Sequence, residues 1–230
     1  MVKNLEAQPP KAYILCMRKI PFVNEEIYHI YNRGTDKRVI FEDEYDFQRF
    51  LQSLQEFNFL DPIGSIYEHS RLKKEEFGGS TSKSDKLVEI IAYCLNPNHF
   101  HLLLKQVTER GVEKFMQRLG TGYTMYFNKK YERSGALFQG RFKAVYVGTN
   151  EYLLHLSVYV NLNDKVHKLG GSTSKSSLNE YVGNIKNGSV VICDKEIILG
   201  QFKNINEYQL YAESTLKGIQ ERKLLMNEKF

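Results

Sequence analysis

The stretch from Leu87 to Gln106 can fold in few ways. Leu87 to Leu95, with its core V-E-I-I-A-Y-C-L, is apolar and rich in β-formers and reads as a strand. Asn96-Pro97-Asn98 is a turn signal, and His99 to Gln106 (H-F-H-L-L-L-K-Q) reads as the strand that folds back against the first. Side chains alternate along a strand, so His99 and His101 share one face while Phe100, Leu102 and Leu104 point into a core. This hairpin therefore needs cover on its apolar face and carries two imidazoles on the other. Two imidazoles one step apart on a rigid strand can chelate a single metal ion. Two half-buried histidines satisfied by hydrogen bonds would give the same pattern.

The flanking segments supply the cover. Glu26 to Asn32 (E-I-Y-H-I-Y-N) reads as a first strand ending at the Arg33-Gly34 turn. Glu42 to about Phe57 reads as an amphipathic helix with Phe47, Phe50, Leu51 and Leu54 on one face and an acidic start. Gly111 to about Tyr131 reads as a long helix interrupted by Gly120 and Gly122, and 136–147 contains a fourth strand. Asn150 is the expected N-cap of a helix that places Leu153, Leu156 and Val160 at helical spacing. Residues 178–200 look loop- and strand-like, and 205–228 look helical and charged. This β-α-β-β-α-β-α order predicts an α+β sandwich in which helices cover an antiparallel sheet.

The heptapeptide G-G-S-T-S-K-S occurs twice, at 78–84 and 170–176. Both copies sit between better-patterned segments and read as flexible surface insertions. The expected organisation is a leader over 1–17, a domain over 18–168 with a loop insertion near 75–86, and a C-terminal extension over 169–230.

On the helix after Asn150, His155, Tyr159 and Asn163 are spaced by four and share a face. That stripe is either solvent-facing or site-facing. A phenol is a weak nucleophile while it keeps its proton, and a nearby cation lowers that barrier. A tyrosine nucleophile therefore needs a metal, and His99, His101 and an oxygen donor such as Asn163 are candidates to hold it.

The net charge is +5, a mild excess. It concentrates in residues 105–143, where nine Lys and Arg face three Glu. Within it L-F-Q-G-R-F-K (137–143) interleaves aromatics with Arg141 and Lys143, and Arg33, Lys37 and Arg38 follow the first strand. Such cations neutralise phosphates while Phe and Tyr stack on unpaired bases; a strand with a solvated basic face reads the same way. The three cysteines match no zinc, redox or disulfide pattern, which points to a reducing cytoplasm. The sequence shows neither a signal peptide nor an apolar run long enough to span a membrane.

Four segments in order resemble the REP-associated tyrosine transposases, single-tyrosine HUH transposases of insertion-sequence type. They are I-Y-H-I-Y-N-R-G-T-D-K-R-V-I-F (27–41), A-Y-C-L-N-P-N-H-F-H-L-L-L (92–104), R-S-G-A-L-F-Q-G-R-F-K (133–143) and L-S-V-Y-V-N-L-N-D (156–164). The second is similar to the family's His-hydrophobic-His metal motif. The fourth is similar to its R-Y-I-H-L-N-P helix, with Val158, Asn161 and Asp164 where the family has a basic residue, histidine and proline. The lost proline lets the helix run on towards His167.

The resemblance implies a ferredoxin-like (RRM-like) fold, with Tyr159 as nucleophile and His99, His101 and Asn163 as ligands of Mg²⁺ or Mn²⁺. The implied activity is cleavage and rejoining of single-stranded DNA near hairpins through a 5′-phosphotyrosine and a free 3′-OH. Arg33, Lys37, Arg38, Arg141 and Lys143 are the expected DNA contacts. A homodimer and a bacterial, nucleoid-associated location are further expectations. The alternative is a non-catalytic module that binds a DNA or RNA hairpin.

Overall fold

A computed structural model describes residues 21–64, 66, 86–167, 173–185 and 191–227. The leader and the first heptapeptide lie outside the described residues. Strand β1 (Ile27–Arg33) is followed by a 3-10 turn (Thr35–Lys37) and helix α1 (Glu44–Glu56). Then come β2 (Val88–Asn96), β3 (His99–Gln106), α2 (Gly111–Lys130), β4 (Lys143–Tyr146) and α3 (Asn150–Asn161). The remaining elements are short helix α4 (Asn163–Val166), β5 (Lys175–Ser176), α5 (Leu178–Tyr181), α6 (Glu196–Leu199) and the long α7 (Ile205–Asn227).

The sheet order is β4-β1-β3-β2-β5, with every neighbouring pair antiparallel. Its first four strands follow the ferredoxin-like order. The Asn96–Asn98 turn folds β3 back on β2, so that Asn96 faces His99 and Cys94 faces His101. β1 then lies beside β3 with Tyr31 opposite His101 and Arg33 opposite His99.

One face of the sheet is closed by α1 and α2. There Ile30, Phe100, Leu102 and Leu104 pack with Phe50, Phe115 and Tyr123, all buried. The Phe50 and Phe100 rings lie 5.2 Å apart. α1 starts with a capping box: the Asp43 side chain accepts from the Asp46 backbone, and the Asp46 side chain accepts from the Asp43 backbone. α3 covers the other face over β2 and β3, through Leu153, Leu156 and Val160.

The structure departs from the sequence reading in four places. α2 runs unbroken through Gly120 and Gly122. A Cβ on Gly122 would sit 2.5 Å from the Phe57 ring, so this glycine buys close helix packing rather than a break. The N-cap of α3 is Thr149, whose Oγ1 accepts from the Tyr152 N–H at 3.2 Å, and Asn150 is the first helical residue. The second heptapeptide does not behave as a loop insertion at its C-terminal end. Lys175–Ser176 pairs with Leu95 and Cys94 as the sheet's edge strand, and buried Ser174 donates to Asn96 Oδ1 at 2.9 Å. Over 178–200 the described residues form the short helices α5 and α6 rather than a strand.

The C-terminal elements anchor on this frame. Buried Glu180 accepts from Tyr93 Oη and from the backbone N–H groups of Ile192 and Cys193. Buried Asn161 donates to Tyr208 Oη on α7 and accepts from Ser177 Oγ. Cys94 and Cys193 are buried free thiols. No described helix is long and apolar enough to cross a membrane.

Candidate active site

The β1–β3 register builds one row across the sheet, Cys94–His101–Tyr31–Lys143, and beside it another, Asn96–His99–Arg33. These rows rise on the face that α3 covers. The Tyr159 ring reaches them from α3 and meets His101 edge-on, with centroids 5.6 Å apart. His29, two residues before Tyr31, lies under the same tyrosine at 6.2 Å.

Burial leaves these imidazoles neutral. It pushes His29 down to about 4 and holds His101 well below the ordinary histidine value, with His29, His99 and His167 adding to the effect. His99 is also lowered by burial, then by His167, with Asn163 opposing. A neutral imidazole keeps a lone pair for a metal. His99 Nδ1 lies 2.7 Å from Asn98 Oδ1, an acceptor, so Nδ1 carries the proton and Nε2 the lone pair. His101 Nδ1 is engaged by His29 Nε2 at 2.9 Å, which leaves its own Nε2 for another partner. Contacts of this kind fix the orientation of an imidazole ring.

The Tyr159 helix does not run on towards His167: α3 ends at Asn161, the chain breaks at Leu162, and Asn163 begins the separate short helix α4. Asn163 Oδ1 accepts from Asn96 Nδ2 at 2.7 Å, and the same Asn96 amide lies 2.9 Å from His99 Nε2. Asn163 Nδ2 is buried without a hydrogen-bond partner. Burial raises the Tyr159 phenol above its ordinary value, and Asn163 opposes that rise.

Among the described residues no three His, Cys, Asp or Glu side chains converge on a metal position. The candidate set here is two imidazoles and one amide oxygen. It fits a divalent cation in one respect: His99 Nε2 and Asn163 Oδ1 already converge on one partially positive group, the Asn96 NH₂.

The structure thus brings Tyr159, His99, His101 and Asn163 together. His155 is not with them; it is half-buried, and its proton affinity is lowered by burial and by Arg222 of α7. Lys143 Nζ lies 5.9 Å over the Tyr31 ring, beside the site. Arg33 is on the same face and its Nε donates to the Gln139 side chain. Lys37 lines a pocket next to His99, whereas Arg38 turns back to Thr35 O. Arg141 lines a cavity of about 730 Å³ between α2 and the 136–142 loop. The sequence reading missed His29, Asn96 and Asn98. His29 alternates with buried Tyr28 and Ile30, which marks its face, but only the strand register puts it against His101.

Residues 79–163 match the family model described as "Transposase IS200 like". That is a little over a third of the chain, and it contains His99, His101, Tyr159 and Asn163. No curated protein matches the sequence. One similar solved structure is a REP-associated tyrosine transposase bound to a REP hairpin. It is 11% identical, with 78% of this chain and 94% of that chain covered and a TM-score of 0.46.

Proposed function

We propose, for a chain that carries an IS200-like transposase region across residues 79–163, that it nicks and rejoins single-stranded DNA beside hairpins with Tyr159 as nucleophile. The observation that carries this is the meeting of Tyr159 with His101, His99 and Asn163 inside that region. Tyr159 Oη attacks the scissile phosphorus. The phenol gives up its proton, the new Oη–P bond replaces the P–O3′ bond, and the departing 3′-oxygen takes up a proton, leaving a 5′-phosphotyrosine and a 3′-OH. The reverse step, with a different 3′-OH, joins strands. His99, His101 and Asn163 would hold a Mg²⁺ or Mn²⁺ ion, which would supply neutralisation of the charge that develops on the phosphate.

The chain's own groups do the rest. His29 and Asn98 fix the two imidazoles. α3 shields Tyr159 on a rigid helix packed against β2 and β3. Lys143 and Arg33, on the same face, take the flanking phosphates.

The test is incubation of the purified protein with an end-labelled hairpin carrying single-stranded flanks, with Mn²⁺, with Mg²⁺ and with EDTA. Discrete cleavage with a free 3′-OH, abolished by EDTA, is expected. The alternative reading is a hairpin-binding module without turnover. Tight hairpin binding with no cleavage under any metal would decide for that reading.

A further inference from the structure

Next to His99 lies a pocket of about 290 Å³ lined by Lys37, Val39, Pro97, Asn98, His99 and His167. Among the described residues no carboxylate lines it, and the one permanent charge among them is positive, so its chemistry suits an anion. Asn98 is already spent in its wall: Nδ2 donates to Lys37 O at 3.2 Å and Oδ1 accepts from His99. The uncommitted donor is His167. Lys223 Nζ of α7 lies 3.1 Å from His167 Nδ1, and an ammonium can only donate. His167 Nδ1 is therefore the acceptor, and the ring's proton sits on Nε2. Lys223 also donates to Val166 O at 3.1 Å, and Gln220 to Lys165 O at 3.2 Å, so α7 clamps the end of α4. The His167 ring meets His99 edge-on at 5.9 Å. Burial and the Lys223 charge both lower its proton affinity.

We propose that this pocket takes one nucleotide adjacent to the scissile phosphate, with His167 Nε2–H donating to a non-bridging oxygen of its phosphate and Lys37 adding charge. Lys223 is a positioning residue that fixes the His167 tautomer. The inference rests on the proposed DNA-processing function. It assigns work to a part of the chain, His167 and α7, that lies beyond the family-matched region.

The experiment measures binding of a fluorescein-labelled hairpin with single-stranded flanks by anisotropy. Parent, His167→Ala, His167→Gln and Lys223→Met proteins are compared. The oligonucleotide series carries one neutral methylphosphonate linkage at a time along the flank. For the parent, one linkage near the cleavage point costs about 2- to 12-fold in affinity, the range of a single hydrogen bond. His167→Ala loses a similar factor on unmodified DNA and nothing more at that linkage. His167→Gln, which keeps an N–H donor, recovers part of the loss, and Lys223→Met shows its loss at the same linkage. Mn²⁺ affinity of the DNA-free protein, read by calorimetry, stays unchanged in His167→Ala.

An unaltered affinity in His167→Ala, a loss shared equally by all linkages, or a fall in Mn²⁺ affinity overturns the inference while leaving the proposed function standing. A parent protein that binds no DNA overturns both.

Discussion

At the residue scale the site is a set of acceptors held in place by partners. His101 owes its orientation to His29, and His99 to Asn98. Removing such an outer partner typically weakens a metal site 10- to 100-fold. His29→Ala is expected to lower Mn²⁺ affinity by about that factor in calorimetric titration, with its melting transition still cooperative. The shared face of His99 and His101 was legible in the sequence because strand alternation is a local rule, whereas four-residue helical spacing also put His155 with Tyr159, and Asn163 lies past the break at Leu162. The partners were not, since Asn96, His29 and Lys223 come to the site through strand register and the docking of α7.

The elements show where local rules fail. Gly122 reads as a helix breaker by propensity, yet α2 continues because Phe57 fills the space a side chain would need. Gly122→Ala improves propensity but overpacks that contact, and denaturant melts should show a loss of about 1–3 kcal/mol.

α1 and α2 are also joined by a buried charge. Asp46 accepts from Tyr126 Oη at 3.0 Å, Tyr131 Oη at 2.8 Å and Lys130 Nζ at 2.7 Å. Lys130→Met strands that carboxylate, at an expected cost of about 3 kcal/mol. The Lys130 hydrogen bond also holds exposed Asp43 below its ordinary value. A depressed carboxylate contributes stability above its unfolded-state pKa and loses it as pH falls through the folded one. The melting temperature of the parent should therefore fall below about pH 4, and that part of the fall should be smaller in Lys130→Met.

At the scale of the whole molecule, a ferredoxin-like sheet is extended by β5 and braced by α7. The order of the elements along the chain was legible because each strand and helix carries its own pattern. The fifth strand was not, since Lys175–Ser176 belongs to a low-complexity heptapeptide and is strand only because β2 offers it an edge. Tyr208, fully buried and bonded to Asn161, ties α7 to α3. Tyr208→Ala should cost about 3–5 kcal/mol, by analogy with other buried aromatic truncations, measurable by urea unfolding.

The central claim is that Tyr159 forms a covalent bond to DNA. The most direct measurement is intact-protein mass spectrometry after incubation with a hairpin oligonucleotide and Mn²⁺, followed by peptide mapping, on parent and Tyr159→Phe proteins. The account predicts a parent adduct heavier by the 5′-phosphorylated cleavage fragment, mapping to the peptide that contains Tyr159, and no adduct in Tyr159→Phe. An adduct that persists in Tyr159→Phe, or that maps to Tyr31 or Tyr152 in the parent, would contradict it.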